Sequence, residues 1–586
     1  MPKSNAPLNL DIYREGLVPL VVGVTGHRDL RPEDVPAIRA RVAEFLASLK
    51  TRFPERRLQL LSPLAEGADQ LVAEVALDQA VTLTVPLPMP RDDYLASFET
   101  RESRLNFERL CARADTVIEL STIMAAGTDD ARSDERTKKQ QYAQLGIFLS
   151  AHCHILLALW DGKPSSEIGG TSEVIRFHHD DVMTGIEPTG VNRLLLVDDD
   201  SDLVYHIVVS RNRPDGSPLS GLQPLSSAWF TCDHESPRTR ELPQSYVRVF
   251  ERTNDFNRMA REHCKRIAEE STPLIDDAAG IELPTATKRI DHFFRAADWL
   301  ATRYQRRNLL ALRITHTLAF LMGVLFLLYS NVEATRLLMA IFLTCFVATF
   351  TLHAVAAKGK WHSKYLEYRA LAEGLRVQLY WSAAGVTSDS TTKYSHDNFL
   401  QKQDSDLGWI QNVMRVAGMS SDATPYFDHA GLDFTVKSWI GSEMTGGQVH
   451  YFRSNTSRYI RKNDRLNKLA RLVSVLVVTI VAATALVDSD HMRNLLFMAL
   501  GALLLAFGVR QAFAYRVAEK ELIKQYSFMY TIFGNARQRL LRATDDEEKR
   551  RILRALGEAA LDEHAEWIFL HRERPPDPEG MWRMEP

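Results

Sequence analysis

Residues 309–357 read LLALRITHTLAFLMGVLFLLYSNVEATRLLMAIFLTCFVATFTLHAVAA. Two stretches within it, 314–331 and 337–357, contain no Asp, Glu, Lys or Arg, and the charged residues between them fall in 332–336. A helix of about 20 apolar residues crosses roughly 30 Å of hydrocarbon. The sequence therefore predicts two membrane-crossing helices joined by a tight turn.

Basic residues flank this predicted hairpin on both outer sides. They are Arg303, Arg306, Arg307 and Arg313 before it, and Lys358, Lys360 and Lys364 after it. Since basic residues favour the cytoplasmic side of a membrane, both ends of the hairpin are expected in the cytosol. We predict a multi-pass protein of the inner (cytoplasmic) membrane, with its N- and C-terminal regions in the cytosol and the lipid bilayer as a partner.

A second pair of apolar stretches, 472–487 and 494–509, repeats this pattern. Basic residues again precede and follow the pair, which predicts a second transmembrane hairpin with both ends inside. Each stretch has 16 residues, slightly below the usual spanning length, so a hairpin buried in a soluble domain is the alternative. The expected architecture of this half is an α-helical membrane region with two transmembrane hairpins.

Two histidines lie within the first predicted hairpin. His316 is early in the first crossing and His353 is late in the second, so both are expected near the cytosolic mouth. Ionisable groups inside membranes usually face a bundle interior or a water path. Both are candidate pore-lining residues, and anchoring at the membrane interface is the alternative.

The first part of the chain alternates short apolar stretches with amphipathic ones. The apolar stretches at 17–24, 58–61, 81–85, 116–120 and 155–160 predict strands. Continuous apolar strands separated by helices are typical of a parallel sheet covered on both faces. We predict an α/β, doubly wound, Rossmann-like domain, in which ligands bind beyond the carboxyl ends of the strands.

Small and polar residues collect in the loops at those carboxyl ends. The candidate ligand-binding residues are Gly26, His27 and Arg28 after the first strand, Glu66, Gly67 and Asp69 after the second, and Asp161, Gly162, Gly169, Gly170, Thr171 and Glu173 after the fifth. Glycines let backbone N–H groups approach a phosphate, a helix starting near Thr171 would direct its positive end there, and Arg28 could bind a phosphate oxygen pair. A purely structural role for these turns is the alternative.

Composition narrows the classes of partner. The formal net charge of −3 argues against a nucleic-acid binder that works by charge. The five cysteines are widely spaced and form no CxxC pair, so no metal site is expected.

The loop motifs together resemble the SLOG superfamily, a Rossmann-like group that includes the LOG nucleotide phosphoribohydrolases and DprA. The motifs are GVTGHR at 23–28, LAEGAD at 64–69, LWDG at 159–162 and GGTSE at 169–173. The hairpin followed by the tyrosine-containing helix at 361–376 resembles SLATT modules, two-transmembrane effectors found with SLOG sensors. The enzymes of the superfamily carry PGGxGTxxE, whereas here the proline is missing and Glu173 follows Thr171 by two residues instead of three.

These resemblances imply a function. A nucleotide-derived or NAD-derived ligand would bind a cytosolic sensor, and the sensor would control a membrane effector, pore-forming or membrane-disrupting, in bacterial antiphage defence. The effector is expected to be a homo-oligomer. The alternative is a membrane-tethered nucleotide phosphoribohydrolase with Glu173 or Glu66 as the acid–base group.

The sequence divides accordingly into seven segments. They are an N-terminal extension 1–16, a ligand-binding domain 17–245, a helical coupling arm 246–308, the first hairpin with its cytosolic helix 309–386, a cytosolic insert 387–460, the second hairpin with its helix 461–570, and a frayed tail 571–586.

Overall fold

The computed structural model of the protein describes residues 10–120, 131–184, 202–232, 237–275, 283–332, 334–386, 407–423, 428–444 and 446–572. The chain forms two compact units. The sheet unit combines Met1–Ala296 with Leu371–Asp433, and the helical unit combines Ala297–Ala370 with Phe434–Pro586. Residues 387–406 of the predicted insert and 573–586 of the predicted tail lie outside the described residues.

In the described part of the sheet unit, eight strands form one sheet. They are β1 Leu20–Gly26, β2 Leu58–Leu61, β3 Thr82–Leu87, β4 Thr116–Glu119, β5 Ile155–Trp160, β6 Val204–Val208, β7 Ser227–Phe230 and β8 Arg238–Thr239. Their spatial order is β4-β3-β2-β1-β5-β6-β7-β8. The first six strands pair in parallel, whereas β7 and β8 add antiparallel strands at one edge. Every residue of β2 and β5 is buried, as expected for strands that are covered on both faces.

Helices alternate with these strands along the chain. They are α1 Leu10–Arg14, α2 Val35–Arg52, α3 Ala68–Asp78, α4 Arg91–Ala96, α5 Arg101–Arg113, α6 Ala131–His152, α7 Thr171–Asp180, α8 Gln244–Glu262 and α9 Cys264–Glu270. In α2, helical spacing places Ile38, Val42, Phe45 and Leu49 on one buried face. This alternation confirms the predicted α/β region with parallel strands.

The segment after the first two apolar stretches folds back into the sheet unit. The two apolar stretches lie in α10 Thr285–Asn331 and α11 Arg336–Lys358. The segment after them forms α12 Trp361–Ala384 and α13 Gly408–Ala423. Oγ1 of Thr287, near the start of α10, lies 2.9 Å from Oγ of Ser382, near the end of α12. Nε2 of His154, just before β5, donates to the carbonyl of Asn412 in α13 at 3.0 Å. Residues 407–423, placed by sequence in a separate insert, therefore pack with the sheet.

The helical unit contains the apolar helices. Helix α14 His429–Thr435 ends in this unit, which continues through α15 Gly447–Leu486, α16 Asp490–Arg516, α17 Glu519–Arg542 and α18 Asp546–Arg572. Four helical stretches of the described chain are long and apolar enough to cross a membrane: Thr285–Asn331, Arg336–Ala384, Gly447–Leu486 and Asp490–Arg542. The most apolar windows of the last two are 0% buried, which argues against the alternative of a hairpin inside a soluble domain. Length, composition and exposure thus indicate a membrane protein.

Helices α10 and α16 pack along each other in opposite directions. The ring of His316 lies 5.4 Å from that of Phe513, Gly323 faces Leu505, and Gly501 faces Leu327. A Cβ on Gly323 would overlap the Leu505 side chain. Small residues allow membrane helices to approach closely, so these glycines set the distance between the first and fourth apolar helices.

Gly323→Val is expected to separate α10 from α16, because its side chain would occupy the space of Leu505. Overpacking of this kind costs about 1–3 kcal/mol. The melting temperature of the full chain in detergent should fall by at least about 2 °C. Gly508→Val is the matched control, since nothing lies within 4 Å of a Cβ added there. An equal effect of the two substitutions would contradict this packing.

Candidate functional site

A cleft of about 1650 Å³ lies beyond the carboxyl ends of β1 and β5. The strand order reverses at these two neighbouring strands, and open α/β sheets bind ligands at such switch points. Of the residues predicted from sequence, Gly26, His27, Arg28, Glu66, Gly67, Asp69, Asp161, Gly169, Gly170 and Thr171 line the cleft. Gly162 and Glu173 do not appear in its lining. Folding thus gathers residues from three separate loops around one cavity.

The turns after β1 and β2 are in direct backbone contact. The N–H of Ala68 donates to the carbonyl of His27 at 3.1 Å. Gly67 has a φ of +80°, and a Cβ there would overlap the carbonyl of Arg28. A Cβ on Gly26 would likewise overlap the side chain of Ala68. Only glycine fits these two positions, so their first role is to bring the two turns together.

The side chain of Arg28 extends into the cleft above Tyr142. Its guanidinium carbon lies 5.7 Å from the centre of the Tyr142 ring, which a cation favours. Among the described residues, no carboxylate forms an ion pair with Arg28. The hydroxyl of Tyr142 is held by the hydroxyl of Ser97 at 3.2 Å. Arg28 is therefore an exposed cation, steadied by an aromatic ring and available to an anion.

Two helices begin at the cleft with glycine in the capping position. Gly67 precedes α3 and Gly170 precedes α7, and glycine has no side chain to accept from the first N–H groups. Those N–H groups lack partners within the helix and carry its partial positive charge, although in α3 the N–H of Ala68 already bonds the carbonyl of His27. Both helix starts are suited to bind a phosphate or carboxylate.

Asp69 and Tyr94 place buried polar atoms at the wall of the cleft. Asp69 is 5% exposed and Tyr94 is 1% exposed. Within the described part of the chain, Oδ1 of Asp69 and the hydroxyl of Tyr94 have no hydrogen-bond partner. Burial raises the pKa of Asp69 to about 8, against the opposing effect of Arg28, and burial also raises the pKa of Tyr94. At neutral pH both groups carry their protons.

His27 and Asp161 join the turn after β1 to the turn after β5. The backbone N–H of Asp161 donates to Nε2 of His27 at 3.2 Å, and Oδ1 of Asp161 accepts from the N–H of Lys163 at 3.0 Å. Burial lowers the pKa of His27, although the nearby carboxylate of Asp161 opposes this. Nε2 of His27 also lies 3.1 Å from Oδ1 of Asp161, so it accepts from the backbone N–H in one tautomer and donates to the carboxylate when it carries a proton. These contacts position the rim of the cleft.

Glu66 and Glu173, the two candidate acid–base groups, both accept hydrogen bonds from other groups of the protein. Oε1 of Glu66 accepts from the backbone N–H groups of Glu99 and Thr100, at 3.0 and 3.3 Å. Glu173 is buried, and its carboxylate accepts from the N–H of Thr184 at 2.9 Å and from Arg176 at 3.0 Å. This placement gives Glu66 and Glu173 structural partners and does not favour acid–base chemistry by either residue.

Gly162 and Gly169 hold the loop after β5 in conformations that favour glycine. Their φ angles are +81° and +76°. A Cβ on Gly162 would overlap the side chain of Leu222, and one on Gly169 would press on Tyr142. Gly162 therefore packs against Leu222 and does not line the cleft, whereas Gly169 does line it.

Sequence reasoning did not identify Tyr94 or Tyr142 as part of the site. Tyr94 lies on α4 and Tyr142 on α6, and both line the cleft. Neither residue belongs to a loop at the end of β1, β2 or β5, so no local pattern connects them with Asp69. Only the packing of these helices beside the strand ends brings them to the cavity.

No family model matches the chain, and no curated protein matches it in sequence. The resemblance to SLOG and SLATT domains consequently rests on the motifs at 23–28, 64–69 and 159–173 and on the apolar hairpin.

Asp69→Asn tests the buried carboxyl of the cleft. In the wild-type protein Asp69 is protonated in the folded state up to about pH 8, whereas an unfolded aspartate ionises near pH 4. Folding thus takes up a proton in this window, and the free energy of unfolding falls as the pH rises, by up to about 1.4 kcal/mol per pH unit. Asn cannot ionise, so the melting temperature of the variant relative to wild type should increase from pH 5 to pH 8.

The control for this prediction is Asp11→Asn, which changes an exposed carboxylate on α1. Its melting temperature should keep a constant offset from that of the wild type over the same range. A constant offset for Asp69→Asn as well would mean that Asp69 is ionised throughout.

Proposed function

We propose that the protein is a sensor of a phosphate-bearing, nucleotide-derived small molecule, coupled to a membrane effector that opens or disrupts the bilayer in bacterial defence. The observation that carries the proposal is the convergence on one cleft of two helix starts capped by glycine and an arginine that forms no ion pair with any described residue. The exposed apolar helices supply the membrane part.

The size and chemistry of the cleft favour a nucleotide. Pockets for small molecules usually measure about 300–1000 Å³, so about 1650 Å³ leaves room for a nucleotide with a second group, as in NAD-derived ligands. Arg28 and the starts of α3 and α7 favour negative charge. The ring of Tyr142 beside Arg28 offers an aromatic surface of the kind on which bases stack.

The path of the chain supports a pair of crossings with both ends on one side. The start of α10 and the end of α12 both belong to the sheet unit, and the apolar stretches of α10 and α11 lie between them. A chain that leaves a compact unit and returns to it crosses a bilayer an even number of times. The basic residues outside both stretches favour the cytosol for that unit.

Helices α10 and α12 are the proposed route of coupling, since each runs without a break from one unit into the other. The predicted coupling arm also included α8, but Asn257 in α8 bonds the backbone of Val18 through both its oxygen and its nitrogen, at 2.9 Å. A ligand shifts the effector only if it binds two states of the sheet unit with different affinity. Such a difference would reach the membrane through the two continuous helices.

The alternative is a membrane-tethered phosphoribohydrolase. One observation favours it: Asp69 is a carboxyl in the cleft with a pKa of about 8, and such a group can act as a general acid at neutral pH. Glu66 and Glu173, which the resemblance suggests for this role, are bound by backbone and side-chain donors. Binding without turnover is therefore the preferred function.

Arg28→Ala in the full chain tests the proposal. Wild type in detergent should gain melting temperature with inorganic phosphate and, more strongly, with ADP-ribose, because bound ligand stabilises the folded state. Loss of the charged contact should weaken both probes about tenfold or more. Arg41→Ala is the matched control, since Arg41 pairs with Glu44 on α2 and does not line the cleft.

The same samples distinguish the two functions when adenosine monophosphate is added and free adenine is measured. The sensor predicts binding with no sustained release of base. Steady release by wild type would establish the hydrolase, and equal melting shifts in wild type and Arg28→Ala would remove Arg28 from the site.

A further inference from the structure

Gln70, the neighbour of Asp69 in the wall of the cleft, has its side-chain amide hydrogen-bonded. The amide of Gln70 donates to the carbonyl of Ser103 at 3.1 Å and accepts from the amide of Asn106 at 2.9 Å. Oδ1 of Asp69 and the hydroxyl of Tyr94, in contrast, find no partner within the described residues. A buried polar group without a hydrogen bond is costly, and proteins rarely keep one unless a ligand or water satisfies it.

The surroundings hold both groups in place. The ring of Tyr94 packs edge-on against Phe98 at 5.2 Å and against Phe107 at 5.8 Å. Asp69 lies in the first turn of α3, and its carboxyl accepts from the backbone N–H of Ala65. Neither side chain can turn away to reach solvent without breaking this packing. Both residues line the cleft, and their two polar atoms are held within its wall.

The chemistry of the two groups selects the kind of partner. A protonated carboxyl and a phenol each offer one donor and one acceptor, and neither brings a full charge. Aromatic rings beside them disfavour a charged partner, whose desolvation would not be compensated. Neighbouring hydroxyl groups, each a donor and an acceptor, match this pair. Arg28 and the start of α3 lie at the same part of the cleft and favour an anion.

We propose that Asp69 and Tyr94 form a hydroxyl-binding pocket that receives the ribose diol of the ligand, while its phosphate lies at Arg28 and the start of α3. This inference rests on the proposed function and names the part of the ligand that the cleft distinguishes. It assigns Tyr94 a role in specificity that its position on α4 does not suggest. A phosphate compound without the diol would bind more weakly.

A buried water bridging the same two atoms is the competing explanation. A water with two to four polar partners is a common occupant of such a position. In that case the two residues would be structural, and ligands with and without a diol would bind equally.

The test compares three probes on the full chain in detergent: inorganic phosphate, adenosine monophosphate and its 2′,3′-dideoxy analogue. Wild type should bind adenosine monophosphate at least about tenfold more tightly than the dideoxy analogue, as expected for two satisfied hydroxyls. Tyr94→Phe removes only the hydroxyl and retains the ring packing, so it should fold. Its preference for the diol should fall about tenfold, with phosphate affinity unchanged within twofold.

Two variants of Asp69 complete the experiment. Asp69→Leu should lose the preference for the diol, whereas Asp69→Asn, whose amide keeps both donor and acceptor groups, should retain most of it at pH 7. A wild-type preference near one, or a preference unaltered in Tyr94→Phe, would overturn the hydroxyl pocket and leave the anion site intact. Failure of all three probes, inorganic phosphate included, to bind wild type would overturn the proposed function as well.

Discussion

The contact between the turns after β1 and β2 is the constraint on which the cleft depends. Gly67 can lie against the carbonyl of Arg28 only because it has no side chain, and the N–H of Ala68 then bonds the carbonyl of His27. This contact places the start of α3 and its Asp69 beside Arg28 on one rim. The position of the proposed phosphate site and that of the buried acid both follow from it.

The stability of the helical unit depends on the medium that surrounds its apolar helices. Its long helices expose apolar side chains such as Phe350 and Val478 along their length. Exposing this surface to water costs about 25 cal/mol per Å², whereas exposing it to lipid does not, so the exposure favours a bilayer as the surroundings of these helices. Between helices in lipid the hydrophobic effect contributes little, and close fits such as Gly323 against Leu505 become the source of specificity.

Sequence predicts those parts of the structure that depend on local pattern. The strand at Ile155–Trp160 has the predicted bounds, since a fully buried parallel strand is a continuous apolar run, and ten of the twelve candidate residues line the cleft. Strands β7 and β8 were not predicted, because they are short strands at the edge of the sheet with little apolar pattern. The packing of α13 against the sheet and the presence of Tyr94 and Asp69 in one cleft depend on residues far apart in the chain, which no local pattern encodes.

The central claim is that occupation of the cleft changes the state of the apolar helices. Release of a trapped dye from liposomes that contain the full chain measures this directly, with the NAD-derived or cyclic nucleotide that most raises the melting temperature as the added ligand. The account predicts release that saturates over the same ligand concentrations as binding and that disappears when Arg28 is replaced. Saturated binding with leakage no greater than that of liposomes without ligand would contradict it.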